Sequence, residues 1–344
     1  MVSPFAGFED WVADHTRVTV DPYCISRARQ SAQQDEQISK SWEVHHCISR
    51  PIAIVLHLFS GRRRQGDIQW QIEREFADQD RHVFVLSLDI IHGAQGDLTN
   101  SRHVDFWLAK AYSGVVIATV AGPPCETWSI ARFADSAGPP PVRSIDHPFG
   151  LPSASPKQLE QVLFGSRLLI VALRFMLSAV RTGAAGILEH PDLIDWHEQR
   201  QAPSIWRLEQ VQTILACEGA EFLQVQQGQF GARWLKPTRL LSVNLPSLRT
   251  RMHDHSSNPD QLESLSGLDE HGRHNTRLAK EYPPMFCKAI AGAIRDLAQS
   301  ANVGSALDAA CGSDVAPFFV PLDPYIDSDI GDDWARTAAR PEDW

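Results

Sequence analysis

Short apolar runs alternate with amphipathic segments through the middle of the chain. Residues 52–59 and 83–88 are almost entirely apolar, and their length is typical of strands that are buried on both faces of a parallel sheet. Between these runs, apolar side chains recur every four residues, which predicts a helix over 67–79. The pattern therefore begins as strand, helix, strand.

The alternation continues toward the carboxyl end of the chain. It predicts a helix over 104–112, a strand over 115–120, a long helix over about 157–182 and a short strand over 186–188. The segment 133–155 is rich in proline, glycine and serine, which predicts a long loop that is either a functional lid or disordered. Alternating strands and helices indicate an α/β fold with a doubly wound, mostly parallel sheet and right-handed crossovers.

Three regions of different composition are predicted. Residues 1–50 form an N-terminal extension, residues 51–300 form the α/β domain, and residues 301–344 form an acidic tail that we expect to be disordered. The formal charge of the chain is −10; nine acidic and two basic residues give the tail −7, which leaves −3 for the first 300 residues. The acidic balance therefore does not exclude nucleic acid as a partner.

The six cysteines are scattered along the chain without a C-x-x-C pair. This spacing argues against a disulfide framework and against a zinc ribbon, and we predict no metal site. The first twenty residues mix charged and apolar positions, and no window is expected to approach a membrane span. We therefore expect a soluble intracellular protein, nuclear or cytoplasmic, without a membrane partner.

Four residues with useful chemistry follow predicted strands. Gly61 follows the first strand, Asp89 the second, Cys125 the third and Glu189 the fourth. The carboxyl ends of parallel strands meet at one edge of a doubly wound sheet, where ligands bind near the switch in strand order. The four residues are therefore predicted to lie at one edge of the sheet.

The residues after the first two strands suggest an adenosine-containing cofactor. A glycine in the first turn, here Gly61, lets the backbone approach a ligand closely and directs free N–H groups at it. Asp89, after the second strand, is placed to accept hydrogen bonds from ribose hydroxyls, and Asp97 to accept one from an adenine amino group.

Cys125 follows two prolines in the stretch AGPPCETWS. A thiolate is a strong nucleophile, but a lone cysteine is more often a small buried apolar residue. Glu189 is likewise either a salt-bridged acid at a strand end or a functional group. Together the two residues suit a reaction of cytosine, in which a thiolate adds at C6 while a glutamate engages N3 and the exocyclic amine.

The order of several short motifs resembles that of the cytosine-C5 methyltransferases that use S-adenosylmethionine. The similar segments extend over about 52–297 and are Leu58-Phe59-Ser60-Gly61, Asp89, Gly96-Asp97-Leu98, Gly122-Pro123-Pro124-Cys125, Leu188-Glu189-His190, Tyr282-Pro283-Pro284 and the stretch from Phe286 to Ile294. The resemblance implies a Rossmann-like methyltransferase fold, S-adenosylmethionine as the cofactor and a last helix beside it. It implies that Cys125 is the nucleophile and Glu189 the acid that binds the base.

The same resemblance implies two groups of binding residues. Those expected at the cofactor are Phe59, Ser60, Gly61, Asp89, Ile90, Asp97, Leu98 and Pro123. Those considered for the substrate are Trp128, Arg233, Lys236 and Arg239. A position in the core is the alternative for Trp128, and a surface role is the alternative for the three basic residues.

The sequence departs from the family pattern at several positions. His57 stands where an acid is usual, and Arg62-Arg63-Arg64 replaces a small glycine-rich continuation. Glu126 and His190 replace the residues that usually follow the nucleophile and the base-binding acid. Fewer than thirty residues lie in the interval 246–274, which leaves no room for a separate target-recognition domain.

DNA is the expected substrate, because the family that the motifs resemble modifies DNA. Target recognition is then expected from the loop 133–155, from residues 1–50 or from a protein partner. Two alternatives stay open. One is the same chemistry on RNA, whose unpaired bases need no such domain, and the other is an inactive protein that binds nucleic acid or a partner enzyme.

Overall fold

The structure is a computed structural model that describes residues 52–77, 82–133, 139–193, 202–257, 262–263, 265 and 279–300. The predicted N-terminal extension and the predicted acidic tail lie outside these residues, as does the segment 134–138 of the predicted loop.

Six strands form one sheet in the described part of the chain. They are β1 (Ile52–Leu58), β2 (His82–Leu88), β3 (Val116–Ala121), β4 (Ala185–Pro191), β5 (Ala220–Gln226) and β6 (Pro237–Val243). Their order across the sheet is β2-β1-β3-β4-β6-β5, and only β6 runs antiparallel to its neighbours among these six. The predicted α/β fold with a doubly wound, mostly parallel sheet is confirmed, and it is Rossmann-like.

The four predicted strands are present, each shifted by no more than a few residues. β4 extends to Pro191, so Glu189 lies in the last part of this strand, not after it. The antiparallel pair formed by β5 and β6 was not predicted. Residues of β5 are mostly half-buried at the sheet edge, so they lack the continuous apolar run that marks the buried parallel strands.

Six α-helices accompany the sheet in the described residues: α1 (Ile68–Glu75), α2 (Ser101–Tyr112), α3 (Pro156–Thr182), α4 (Glu209–Leu215), α5 (Leu248–His255) and α6 (Pro284–Gln299). The predicted helix 67–79 is shorter in the structure because Asp67 is its N-cap, accepting from the Trp70 N–H, and because it ends at Glu75. A capping box between Ser155 and Gln158 begins α3.

The helices cover both faces of the sheet. On one face, α2, α3 and α4 pack on β1 and β3 through a cluster that includes Trp107, Leu169 and Val211. On the other face, α1, α5 and α6 pack through a second cluster that includes Ile72 and Phe286. Because both faces are covered, ligands can reach the sheet only at its edges and strand ends.

The chain order changes sides at β1. From β1 the chain moves to β2 on one side and then returns to β3 on the other side, so β1 and β3 flank the switch in strand order. The carboxyl ends of β1 and β3 lead to Gly61 and Cys125, respectively. The observed topology is consistent with the prediction that Gly61, Asp89, Cys125 and Glu189 lie at one edge of the sheet.

The long helix α3 passes a length and composition test for a membrane span, with a mean hydropathy of 1.8 over its most apolar window. The prediction that no window approaches a membrane span is therefore wrong, because this helix is long and apolar enough to cross one. Within the fold, however, 78% of that window is buried. Its apolar residues face the sheet and the neighbouring helices, which makes α3 a core helix of the α/β domain.

The described part of the predicted loop, 139–155, is held against α3 by a buried arginine. The Arg143 side chain has no exposed surface, and its guanidinium donates to the carbonyls of Pro148 (2.6 Å) and Val162 (2.8 Å) and to Ser166 Oγ (3.1 Å). Of the two alternatives, the disordered one is therefore wrong for residues 139–155.

Candidate active site at the switch in strand order

The predicted nucleophile and the predicted acid follow neighbouring parallel strands. Ala121, the last residue of β3, pairs with Leu188 of β4, so Gly122 lies beside Glu189. Cys125 follows three residues later in the turn after β3 and is half-buried. The two side chains interact electrostatically, since Glu189 contributes to the raised pKa of the Cys125 thiol. The structure therefore places Cys125 and Glu189 at the carboxyl ends of neighbouring strands, near enough for the Glu189 charge to act on the thiol.

The Glu189 carboxylate is buried and has three polar partners. Tyr282 Oη donates to Glu189 Oε2 at 3.0 Å, and Gln227 Nε2 donates to Glu189 Oε1 at 3.4 Å. The Lys236 ammonium lies 3.5 Å from the same Oε1 and also donates to the Ala279 carbonyl at 2.9 Å. The contacts with one cation and two neutral donors hold the buried Glu189 carboxyl group in one orientation.

A glycine at position 122 makes room for this arrangement. A Cβ atom built on Gly122 would lie 2.1 Å from Tyr282 Oη and 3.4 Å from Glu189 Oε2. Any larger residue would displace the tyrosine from the acid. Burial, and then the Glu189 charge, raise the pKa of Tyr282 well above 10, so its hydroxyl keeps the proton that it donates.

The Cys125 thiol lies among four charges of both signs. Its pKa is raised from 9.0 to about 12, first by burial and then by Glu126, with a smaller contribution from Glu189. Lys236 and Lys280 lower this pKa. Glu126 and Lys280 form an ion pair of 3.4 Å with each other near the thiol. The free protein therefore holds Cys125 as a protonated thiol at neutral pH.

At the end of β1, the turn is tied directly to Asp89. The Gly61 N–H donates to Asp89 Oδ2 at 2.9 Å, and the Ile91 N–H donates to Asp89 Oδ1 at 3.1 Å. Gly61 has φ +66° and nothing within 4 Å of the position of a Cβ atom, so the space beside its backbone is open. A carboxylate oxygen can accept more than one hydrogen bond, so Asp89 keeps acceptor capacity toward this space.

The residues after Asp89 present an apolar surface next to the carboxylate. Ile90 and Ile91 are 50% and 52% exposed, respectively, which is unusual for isoleucine. The turn that follows packs tightly on Asp89, because a Cβ atom on Gly96 would lie 2.1 Å from the Asp89 carbonyl oxygen. This contact fixes the distance between Asp89 and Asp97.

The remaining residues expected at the cofactor have mainly structural contacts. Asp97 Oδ1 accepts from the Thr99 N–H (2.8 Å) and from Thr99 Oγ1 (2.6 Å), and Leu98 and Pro123 are buried. Phe59 adopts a left-handed backbone conformation, with φ 58°, immediately after β1, and Ser60 Oγ donates to the Gly61 carbonyl at 3.4 Å. These residues shape the turn and its surroundings.

The arginine run after Gly61 is largely paired. Arg63 binds Asp67 at 2.7 Å, and Arg64 binds Glu281 at 3.2 Å and the Tyr282 carbonyl. The turn also touches the start of α6, since a Cβ atom on Gly66 would lie 3.0 Å from Pro284 Cβ. The structure thus places the start of the last helix beside the turn after β1.

Three of the four residues considered for the substrate lie away from Glu189. Trp128 is 2% exposed, and the guanidinium of Arg143 lies 4.0 Å from the centre of its ring, so Trp128 is a core residue and offers no base-stacking surface in this structure. Arg233 is an exposed residue paired with Glu263 at 2.7 Å. Arg239 pairs with Asp192 at 2.6 Å. Of the four, only Lys236 contacts the acid.

Among the described residues, no group of three or more histidine, cysteine, aspartate and glutamate side chains could hold a metal ion. The cluster around Glu189 contains a cation and hydrogen-bond donors in the positions where metal ligands would be acidic or neutral acceptors. The negative charges near Cys125, those of Glu189 and Glu126, are paired with the Lys236 and Lys280 ammonium groups.

Sequence reasoning missed three residues of this cleft. Tyr282 was noted only as part of a motif, and Gln227 and Lys280 were not considered. Each belongs to a segment far from Glu189 in the chain, and no local pattern distinguishes them. A tyrosine or lysine just before a helix has an unremarkable position until the fold brings it to the acid.

Comparison with known proteins yields little beyond the fold. No protein-family model matches the sequence, and no curated protein matches it significantly. Among solved structures, the chain is similar to EhMeth, a methyltransferase from Entamoeba histolytica, with 10% sequence identity and a TM-score of 0.28. The alignment covers 63% of this chain and 60% of that one, less than two thirds of the length of EhMeth. Such a similarity says nothing about substrate or mechanism, and the fold assignment rests on the sheet itself.

Proposed function

We propose that the chain transfers a methyl group from S-adenosylmethionine to C5 of cytosine in DNA, through a covalent adduct between Cys125 and C6 of the base. The observation that supports it most is the position of Cys125 and Glu189 at the ends of neighbouring strands, β3 and β4, beside the switch in strand order. A nucleophile and a base-binding acid are the two groups that this reaction requires together.

The cofactor end of the cleft suits an adenosine. Asp89 has spare acceptor capacity for ribose hydroxyls, Gly61 leaves the approach to its backbone open, and Ile90 and Ile91 offer an apolar surface for a purine ring. S-adenosylmethionine, when bound, supplies an electrophilic methyl group.

Cys125 provides the activation of the base. Its sulfur adds to C6, which makes C5 electron-rich enough to accept a methyl group. A water molecule then takes the proton from C5, the electrons of that C–H bond restore the C5=C6 double bond, and the C6–S bond breaks to return the thiolate. The base must be unpaired or flipped out of a duplex, since C6 is inaccessible within the stack.

Glu189 and Lys236 orient the base for this addition. The Glu189 carboxyl group accepts from the exocyclic amine and gives a proton to N3, which neutralises the negative charge that addition of the thiolate places on the ring. Lys236, 3.5 Å from Glu189, contributes positive charge at the same end of the cleft and lowers the pKa of Cys125. The cluster can therefore stabilise the negative charge that the adduct develops.

The protonated state of the free thiol supports a second candidate, an inactive protein that binds nucleic acid or a partner without turnover. A pKa of about 12 leaves very little thiolate at neutral pH. For the active protein, ionisation must accompany binding, because a cationic cofactor near the sulfur favours the thiolate. The same chemistry on RNA is the remaining alternative.

Mechanism and substrate are tested by trapping the adduct. Oligonucleotides that contain 5-fluorocytosine, as DNA and as RNA, are incubated with the protein and S-adenosylmethionine, because fluorine at C5 cannot leave as a proton. We expect a stable protein–DNA adduct, resolved by denaturing electrophoresis, in the wild type and in Cys217→Ala, which removes another half-buried cysteine. We expect no adduct in Cys125→Ala.

The outcomes separate the candidates. An adduct with RNA and not with DNA changes the substrate but keeps the mechanism. Cofactor binding by calorimetry without any adduct contradicts the role of Cys125. Binding of nucleic acid with no cofactor binding and no adduct favours the inactive protein.

A further inference from the structure

Gln227 is the most deeply buried polar neighbour of Glu189. Its side chain has no exposed surface, and it lies at the start of the short 3-10 turn between β5 and β6. Gln227 Nε2 donates both to Glu189 Oε1 at 3.4 Å and to Thr238 Oγ1 at 3.1 Å. Its carbonyl oxygen Oε1 is buried and has no hydrogen-bond partner among the residues that the structure describes. An unpaired buried carbonyl is unfavourable, so its presence beside the acid calls for a physical reason.

The other groups around Glu189 stabilise only one of its protonation states well. Lys236 can only donate and carries a positive charge, so it favours the carboxylate. Tyr282 donates its proton to Glu189, and its raised pKa keeps that proton in place. Cys125 follows the end of β3, and its thiol interacts electrostatically with the acid. None of these three groups is a strong acceptor for a carboxylic acid proton.

A glutamine amide can serve both states. Its nitrogen and oxygen have nearly the same shape, so a half-turn about the last side-chain torsion exchanges donor and acceptor without moving any other atom. With the nitrogen toward Glu189, the amide donates to the carboxylate. With the oxygen toward Glu189, the amide accepts from the carboxylic acid through Oε1, the atom that lacks a partner in the present orientation.

We propose that Gln227 is a positioning residue that holds the Glu189 carboxyl group in the same position in both of its protonation states. Rotation of the Gln227 amide makes this possible while the acid exchanges a proton with N3 of the base. This inference rests on the proposed function for the identity of the proton partner. The contact between Gln227 and Glu189 itself does not depend on that function.

The test measures Glu189 directly and needs no substrate. The ¹³C NMR signal of the Glu189 carboxyl carbon is identified in labelled protein by its absence in Glu189→Gln, and its pH midpoint is measured. A charge-assisted hydrogen bond is stronger than a neutral one, so Gln227→Met removes more from the carboxylate than from the acid. We expect the midpoint to move to higher pH by about one half to one unit.

Turnover is the second measurement. Gln227→Met is expected to lower kcat about tenfold with little change in KM, because the base still binds but the acid is no longer held in register. In Gln227→Glu, two buried carboxyl groups share one proton, so the midpoint rises by more than one unit and activity recovers as the pH falls. Gln212→Met on α4, which removes a glutamine bonded to the Trp206 carbonyl, should leave midpoint and kcat unchanged.

The results distinguish failure of this proposal from failure of the proposed function. If Gln227→Met folds and leaves the Glu189 midpoint unchanged, Gln227 is only a packing residue, whatever the enzyme does. If the midpoint moves as expected and the wild type transfers no methyl group, the positioning contact stands and the reaction is wrong. If Gln227→Met fails to fold, Gln227→Glu decides, and a midpoint that does not rise in that variant overturns the proposal.

Discussion

Individual charges decide how reactive Cys125 can be. The thiol is half-buried, and Glu126, next to it in the chain, is the largest charge that raises its pKa. Lys236 and Lys280 have the opposite effect, and Lys280 is paired with Glu126. Because Glu126 and Lys280 are both substantially exposed, solvent screens their effects, and their influence on the thiol should be moderate.

Removing the Glu126 charge should make Cys125 more reactive. In Glu126→Gln the pKa of the thiol falls, so the thiolate fraction at pH 8 rises and alkylation of Cys125 by iodoacetamide becomes about two- to fivefold faster. In Lys280→Met the pKa rises, and alkylation becomes slower by a similar factor. The rates are measured by mass spectrometry of the peptide that contains Cys125.

The matched control is Glu281→Gln, which removes an exposed carboxylate from the same segment. Glu281 pairs with Arg64 and is not among the charges that act most strongly on the thiol. We expect its alkylation rate to equal that of the wild type. Equal rates in Glu126→Gln and wild type would show that burial, without a contribution from the charge, sets the reactivity of Cys125.

At the scale of elements, one arginine joins the loop 139–155 to α3 and to the turn after β3. Arg143 bonds to Pro148 in the loop and to Val162 in α3, and its guanidinium lies over the ring of Trp128, three residues after the nucleophile. Burial, and then Arg132, lower its pKa to about 9, which still leaves it charged at neutral pH. The loop therefore supports the turn that carries Cys125.

Arg143→Lys should destabilise the protein, although it keeps the charge. A lysine ammonium cannot span the three acceptors that the guanidinium reaches, so at least one buried carbonyl loses its donor. We expect a loss of about 2–4 kcal/mol in the free energy of unfolding and faster proteolysis within 139–155. Denaturant unfolding and limited proteolysis measure the two effects.

Arg249→Lys is the control for this substitution. Arg249 is an exposed arginine of α5 that pairs at 2.6 Å with Glu221 of the edge strand β5. Its replacement should change the free energy of unfolding by less than about 0.5 kcal/mol. If Arg143→Lys has an effect as small as this, the loop is held by other contacts.

At the scale of the whole molecule, a buried histidine near the carboxyl end of β1 makes the stability of the protein depend on pH. His57 is 4% exposed, and burial, as the largest effect, lowers its pKa from 6.5 to about 4. The folded protein therefore keeps His57 neutral at pH values where the unfolded chain binds a proton. Stability is independent of this group above about pH 6.5 and decreases as the pH falls toward 4.

We expect His57 to lower the free energy of unfolding by about 2 kcal/mol between pH 7.5 and pH 5. In His57→Leu this part of the pH dependence should vanish, as measured by urea unfolding at both pH values. His253→Leu, which removes an exposed histidine from α5, should retain the pH dependence of the wild type. A pH dependence that is the same in His57→Leu would contradict the buried neutral state.

Local sequence signals predicted much of the sheet and part of the site. The apolar runs of β1 to β4 are visible because strands covered on both faces need apolar side chains at every position. The half-buried residues of β5 lack that signature, so the antiparallel edge was missed. For Trp128 the structure favours the core position over the substrate role, because distance along the chain from Cys125 does not reveal which way a side chain points, and this one points into the core.

The sequence by itself determined that strands and helices alternate, and hence that Gly61, Asp89, Cys125 and Glu189 follow parallel strands whose ends share one edge. Tertiary structure alone decided the partners of Glu189. Tyr282 lies 93 positions from Glu189 in the chain, and Gln227 lies 38 positions from it. Contacts over such separations depend on how the sheet, the turn before β6 and the start of α6 pack together, and local hydrophobic pattern carries no information about that packing.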